Sequence, residues 1–292
     1  MEPPEPPDES DCCNSGCNPC ILDVYEAQLQ KYKDNLKKST LRPLEVNSIS
    51  PSSYTIFVVV AVRRISPTVL LLKFEYADTK DKTPNCFKYN CGQYLLLRGQ
   101  DGDGEFTRAY TPIPVENEIK LGFTTLVRVY PFGRMSRLLK KLQVGDKTSW
   151  RGPYGDFTIN YNYKYLLFIA QGTGIAPVFS VISEIINNPE CESFIKLFFC
   201  CCDCDDILLR NELYDLGAYW NFSCEIFLSN SNNLVKKYNE VVHECKLTTN
   251  IVTNYINGKN NLQTLICGSD NFTQFFKNEV EKLVESNNVY LF

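Results

Sequence analysis

The 292-residue chain contains one histidine, His243, together with only two methionines and two tryptophans. A single histidine excludes metal sites that need several from one chain, the H-E-x-x-H zincins and three-histidine zinc centres among them. A Ser/His/Asp triad would have to recruit His243, and no G-x-S-x-G elbow occurs. Long apolar runs are missing too. The longest covers residues 56–62, whereas a membrane helix needs about 20 apolar residues. Met1, Glu2, Pro3 and Pro4 open the chain with neither the basic nor the apolar region of a signal peptide. Glu2 stands where N-myristoylation requires glycine. The expected chemistry therefore rests on carboxylates, thiols or a borrowed cofactor. The expected location is cytoplasmic, or peripheral on an intracellular membrane.

Cysteine, by contrast, is abundant at fourteen residues. With no secretory leader expected, these read as reduced thiols or metal ligands rather than disulfides. Cys191, Cys200, Cys201, Cys202 and Cys204 crowd around an apolar strand, where free cysteine behaves as a small hydrophobe. Cys12, Cys13, Cys17 and Cys20 form a separate N-terminal cluster. Cys12, Cys17 and Cys20 have the spacing of the first three ligands of a plant-type [2Fe–2S] site, with no evident distant fourth. Adding Cys13 gives four thiolates for zinc, and four plain free thiols are the third reading. Charge is also uneven. Residues 1–40 hold 4 Lys/Arg against 8 Asp/Glu, residues 41–155 hold 17 against 10, and residues 156–292 hold 9 against 16. A basic middle beside an acidic remainder suits electrostatic steering of a charged partner.

Periodicity divides the chain into a Cys-rich segment over 1–40, a β domain over 41–156 and an α/β domain over 157–292. Residues 54–62, 69–76, 93–98, 108–113 and 119–130 read as strands, with a turn at Asp101, Gly102, Asp103 and Gly104 and a helix over 136–142. Five or six strands at this spacing make a small antiparallel barrel. After Tyr163, strands over 165–170, 194–202, 224–229, 263–267 and 289–292 alternate with helices over 179–186, 206–216 and 272–284. That alternation predicts an open parallel sheet. Residues 230–261, rich in asparagine, read as mixed.

Several short motifs carry chemistry. On a strand, Arg108 and Tyr110 share a face. An arginine can clamp a pyrophosphate, a neighbouring ring can stack on a planar cofactor, and the hydroxyl of Thr111 can hydrogen-bond a ring nitrogen. Arg128 and Tyr130 repeat the arrangement. Gly133, Arg134, Met135 and Ser136 lead into a helix whose free N–H groups suit a phosphate, with Ser136 as its N-cap. Strand 165–170 feeds Gln171, Gly172, Thr173 and Gly174, and Pro177 fits the first turn of the following helix. This is a phosphate-cradling turn without the third glycine of G-x-G-x-x-G. Asp203, Asp205 and Asp206 follow the strand ending at Cys202, where carboxylates can accept from ribose hydroxyls and repel a 2′-phosphate. The same acids can also cap a helix starting at Asp206. Cys267 and Gly268 end another strand.

The order and spacing of these motifs, with Arg151, Gly152, Pro153, Tyr154 and Gly155 between them, resemble the flavin reductases of the ferredoxin–NADP reductase superfamily, cytochrome-b5 reductases most closely, over residues 45–292. The resemblance implies an antiparallel six-stranded β-barrel FAD domain followed by an α/β NAD-binding domain. It implies FAD held by Arg108, Ala109, Tyr110 and Thr111, with Thr111 tuning the flavin. It places Arg128, with Tyr130 beside it, against flavin or nicotinamide phosphate, and the segment Gly133, Arg134, Met135 and Ser136 at the FAD pyrophosphate. By the same resemblance Gly172, Thr173, Gly174, Pro177, Cys267 and Gly268 are placed around the nicotinamide, so that Thr111 and Thr173 flank the hydride path, and Asp206 selects NADH. The Cys267 thiol reads either as a third group on that path or as a small core residue. Gln171 departs from the family's usual glycine. Ser269, Asp270 and Asn271 replace the prolines that follow Cys-Gly. The Cys-rich start is similar to an oxidoreductase-like N-terminal segment.

The expected activity is an FAD-dependent NADH reductase, a monomer with no nucleic-acid partner, that passes a hydride to FAD and then single electrons to a haem acceptor such as acidic cytochrome b5. Two alternatives stand beside it: a non-catalytic flavin- or nucleotide-binding adaptor, and a metal-linked electron carrier working through the N-terminal cysteines.

Overall fold

The computed structural model describes residues 46–77, 84–115, 121–188, 190–230 and 234–292, with isolated positions before residue 46. The chain divides into two compact units, 1–46 and 47–292. In the first, Leu22, Tyr25, Glu26, Leu29, Gln30, Tyr32 and Lys33 are helical. Cys12, Cys13, Cys17 and Cys20, and with them the iron–sulfur and zinc readings, lie outside the described residues.

The second unit begins with seven antiparallel strands: β1 (Thr55–Ser66), β2 (Val69–Tyr76), β3 (Tyr94–Asp101), β4 (Gly104–Tyr110), β5 (Pro112–Ile113), β6 (Gly122–Arg128) and β7 (Lys147–Tyr154). Their order is β4-β3-β7-β1-β2-β6-β5. In β1, side chains alternate between core and surface, which sends Phe57 and Val59 inward. They meet Phe74, Phe123 and Trp150, whose rings lie 4.9–5.2 Å from one another's centroids where they touch. The Trp150 indole N–H donates to Thr148 Oγ1 at 2.8 Å, and the Thr148 hydroxyl donates to the Phe57 carbonyl at 3.0 Å. The polar handle of the largest core side chain is thus satisfied, as burial demands.

Two sequence expectations shift here. The expected strand over 108–113 breaks at Thr111 into β4 and β5, because Pro112 has no N–H with which to continue a ladder. The seventh strand, β7, was not foreseen. Helix α1 (Arg134–Leu139) starts two residues earlier than expected, with Gly133 at its N-cap. Ser136 therefore is not the cap. Its hydroxyl lies inside the helix and accepts the Tyr130 N–H at 2.9 Å.

A six-stranded parallel sheet follows: β8 (Tyr165–Gln171), β9 (Phe194–Cys201), β10 (Phe222–Leu228), β11 (Val241–His243), β12 (Leu262–Cys267) and β13 (Val289–Leu291), in the order β11-β10-β9-β8-β12-β13. Helices α2 (Ile175–Asn187), α3 (Arg210–Leu216), α4 (Thr249–Ile256) and α5 (Asp270–Val280) complete it. The asparagine-rich region supplies β11 and α4.

Strand β8 is apolar on both faces, as a covered parallel strand must be. Leu166, Phe168 and Ala170 pack with α2 on one side, and Leu167 and Ile169 with α4 and α5 on the other. The first of these clusters continues into Val69, Leu71, Ile113 and Leu126 of the barrel. One face of the barrel thus packs into the core of the parallel sheet, while the barrel interior keeps a core of its own. Each such buried side chain contributes about 1.5–3 kcal/mol.

The helix expected from Asp206 begins instead at Arg210. Cys204–Asp206 form a 3₁₀ turn, and Leu209 sits in the left-handed region at φ 55°. Asp203, not Asp206, does the capping, accepting from the Asp205 N–H at 3.2 Å.

Candidate functional site

Strand order reverses beside β8: β9 lies on one side of it and β12, much later in the chain, on the other. The carboxyl ends of strands at such a switch point are where open α/β sheets bind ligands. Here that point faces the barrel, and a cavity of about 620 Å³ lies between the two.

The barrel contributes Arg108, Ala109, Tyr110 and Thr111 from edge strand β4 and the break after it, and Arg128 and Tyr130 from the end of β6. Arg108 is exposed, and among the described residues its guanidinium donates only to the neighbouring Thr107 carbonyl, at 2.7 Å. Tyr110 lies edge-on to Trp150 at 6.0 Å, and burial raises its phenol well above the ordinary value, so it stays neutral. The Thr111 carbonyl accepts the Thr125 hydroxyl at 2.8 Å, which fixes the backbone where the strand breaks.

The parallel sheet contributes Thr173, Gly174 and Pro177 from the turn after β8, and Cys267 and Gly268 from the end of β12. Two glycines in that first turn are sterically required. Gly172 has φ +54°, and a Cβ there would lie 3.0 Å from a terminal nitrogen of Arg128. A Cβ on Gly174 would stand 2.7 Å from the Cys267 carbonyl oxygen. Burial pushes the Cys267 thiol up to about 12, so this wall carries a neutral sulfur.

Not every expected residue reaches the cavity. Gly133, Arg134, Met135 and Ser136 do not line it. Met135 fills the barrel core. The Arg134 guanidinium forks onto the Asp101 carboxylate, with its Nε 2.8 Å from Oδ2, and lies over the Phe106 ring at 4.4 Å. Hydrogen bonding from Arg134 holds the Asp101 carboxyl below its usual range. What this segment can offer a cofactor is therefore its backbone.

Asp206 does not cap the helix that follows. It is 8% exposed and accepts from the Ser66 hydroxyl at 2.8 Å, a bond spanning 140 residues. Its other oxygen lies 3.7 Å from Arg128. It thus ties β1 and β6 of the barrel to the end of β9. Side-chain donor atoms of Cys202 and Asp203 gather with it, within 4.8 Å of one another.

Several lining residues were not anticipated. Tyr94 and Asp156 come from β3 and the segment after β7, and Tyr290 and Phe292 from β13 and the residue after it. The signal for the last pair was aromatic spacing of two on a strand, which places both on one face. Ser66 gave no local signal.

The donor set suits an anionic, planar, dinucleotide-type group. The Arg128 Nε is buried without a partner among the described residues, although its side chain lines the cavity. Buried donors left unpaired are costly, and a bound acceptor would relieve the cost. Arg108 offers an exposed guanidinium with donors left beyond its bond to Thr107, beside an aromatic wall, and the Gly172–Gly174 turn admits close backbone approach. Among the described cysteines only Cys267 lines the cavity. The ten among the described residues are all free, and burial raises Cys200 and Cys224 to about 12, as expected of core filler.

A family profile described as oxidoreductase FAD-binding domain matches residues 57–159, and one described as oxidoreductase NAD-binding domain matches residues 168–278. A third, the N-terminal part of oxidoreductase-like proteins, matches residues 1–40. A Homo sapiens protein named NADH-cytochrome b5 reductase-like is 32% identical over 93% of this chain and 88% of its own length. The Mus musculus protein of that name is 29% identical over 93% and 89%. The cytochrome b5 reductase domain of Ulva prolifera nitrate reductase superposes with a TM-score of 0.69 at 21% identity, covering 85% of this chain and 100% of that one. A ferredoxin NADP⁺ reductase from Neisseria gonorrhoeae with bound FAD and NADP gives 0.66 at 16%, covering 82% and 98%. At those identities the structural likeness is one of fold.

Proposed function

The chain belongs to the NADH-cytochrome b5 reductase-like family of FAD- and NAD-binding oxidoreductases, and from that premise we propose that it is an FAD-dependent NADH reductase serving a one-electron haem acceptor such as cytochrome b5. When bound, the flavin supplies the conversion between a hydride donor and a one-electron acceptor. The chain's own residues bind, orient and exclude water.

In this reading Arg108 anchors the FAD pyrophosphate, with the backbone of Ala109 beside it. Tyr110 stacks on the flavin and Thr111 offers it a hydroxyl. The backbone of Gly133, Arg134, Met135 and Ser136 serves the phosphates. Arg128 and Tyr130 close the barrel side against flavin or nicotinamide phosphate. Gly172, Thr173, Gly174 and Pro177 shape the nicotinamide side, with Thr173 orienting the ring. Cys267 and Gly268 form the opposite wall, and Asp206 favours NADH over NADPH by disfavouring a 2′-phosphate. Transfer between two bound cofactors needs no side-chain general base, which suits a chain with one histidine. His243 is itself engaged elsewhere, 2.6 Å from Glu225 and stacked on Phe227.

The observation carrying the proposal is the cavity at the switch point, which gathers Arg108, Tyr110, Thr111 and Arg128 from one domain with Thr173, Gly174 and Cys267 from the other. Partner choice is supported by charge. Arg137, Lys140 and Lys141 lie on or beside α1, next to Phe132, which is 91% exposed. A basic, partly apolar surface near the cavity suits transient docking of an acidic protein. Titrating the purified protein with NADH tests the reading: loss of flavin colour supports it, and persistent colour favours a nucleotide-binding adaptor. Metal analysis of the full chain tests the carrier reading of Cys12, Cys13, Cys17 and Cys20. No described helix is long and apolar enough to cross a membrane.

A further inference from the structure

Gln171, the last residue of β8, reaches across the switch point to Ser269, which follows Gly268 at the end of β12. Its Oε1 accepts twice from that one residue: from the Ser269 N–H at 3.2 Å and from the Ser269 hydroxyl at 2.8 Å. Ser269 is the N-cap of α5, yet its hydroxyl caps no N–H of that helix. A serine in this position ordinarily accepts from the second or third helical N–H. Here the hydroxyl is turned to the neighbouring strand instead, so α5 forgoes a local cap in favour of a bond 98 residues away in sequence.

The place of this strap gives it meaning. Thr173 and Gly174 follow Gln171, and Cys267 and Gly268 precede Ser269; these four line the cavity. On the cavity side the two turns already meet, with Gly174 packed against the Cys267 carbonyl. Gln171 and Ser269 do not line the cavity, and they fasten the same two turns at a second point.

We infer that Gln171 and Ser269 are a positioning pair, whose hydrogen bonds hold the Cys267–Gly268 turn against the Gly172–Gly174 turn so that the nicotinamide end of NADH meets a preformed crevice. The inference rests on the proposed reductase reading of the cavity. It gives a physical account of two sequence departures together: a residue at 171 must carry an acceptor of this reach, and a residue at 269 must keep the N–H that proline lacks. A preformed crevice avoids the cost of ordering a loop on binding.

The test uses the FAD-loaded full chain and NAD⁺ as the probe. Gln171→Ala should accelerate amide exchange at Ser269 and raise the NAD⁺ dissociation constant by roughly three- to tenfold, the factor carried by one or two neutral hydrogen bonds. It should raise the KM for NADH more than it lowers kcat, with flavin content unchanged. Ser269→Ala should weaken binding less, since the N–H bond survives, and Ser269→Thr should restore it. The double variant Gln171→Ala/Ser269→Ala should bind no worse than Gln171→Ala alone. Additive losses, or a Gln171→Ala protein that binds NAD⁺ as the wild type does, overturn the inference alone. A wild-type protein that takes up no NAD⁺ overturns the reductase reading and the inference with it.

Discussion

Ser66→Ala probes the tie between barrel and parallel sheet. The substitution removes a hydroxyl that is 4% exposed and leaves Asp206, 8% exposed, without its 2.8 Å donor. Arg128 cannot replace it, because its nearest nitrogen stands 3.7 Å from the carboxylate, beyond hydrogen-bond range. A hydrogen bond to a charged group contributes about 1.5–3 kcal/mol. For a chain of this size each kcal/mol moves Tm by about 2–4 °C, so a loss of about 2 kcal/mol corresponds to a fall of roughly 4–8 °C. Thermal unfolding followed by flavin release measures it. Ser66→Ala and Asp206→Ala should combine to less than the sum of their separate effects, because both break one contact. The tie also holds the group that lines the cavity through Arg128, so the KM for NADH should rise as well. A Ser66→Ala protein that melts within about 1 °C of the wild type, with an additive double variant, would refute the reasoning.

The other predictions concern the cavity and its surroundings. Arg108→Ala should lower the flavin content of the purified protein while changing stability by less than about 0.5 kcal/mol, as for an exposed side chain; the ratio of visible to ultraviolet absorbance reads this directly. Asp206→Thr should relax the preference for NADH over NADPH, and an unaltered ratio of kcat/KM values would remove that role. Gly174→Ala should cost about 1–3 kcal/mol or distort the turn, because its Cβ meets backbone that cannot yield, so NADH turnover should collapse before flavin binding does. Although burial alone would raise them, the carboxyls of Glu225 and Glu240 are held below their usual range, by Lys196 and His243 and by Arg210 respectively. Their contribution to stability is therefore fully present above about pH 4.3 and is lost as pH falls through the depressed values. Glu240→Gln should flatten that acid limb of the unfolding curve. Turnover with an acidic haem protein should fall as salt rises, and a salt-independent rate would discard the docking surface around α1.

What could be read from sequence was local. The turn after β8 announces itself because Gly172 and Gly174 follow a continuous apolar strand, and Arg108 and Tyr110 because alternation places them together. Element boundaries were less legible where one residue's backbone decides them: Pro112 splits an expected strand, and Leu209 in the left-handed region delays α3. The engagement of Asp206 with Ser66 and Arg128 was invisible, since its partners lie in other strands and a buried carboxylate reads like any other acid in a string of aspartates. Arg134 illustrates the converse. Its position in the motif was informative about the backbone, while its side chain answers to Asp101 at the β3–β4 turn, 33 residues earlier. The pairing of Gln171 with Ser269 could be seen in sequence only as two separate departures.

The visible absorption spectrum of the purified protein, recorded before and after NADH is added, tests the central claim most directly. The account predicts flavin absorption near about 450 nm that bleaches with NADH. A colourless protein, or one whose yellow colour persists under excess NADH, would contradict it.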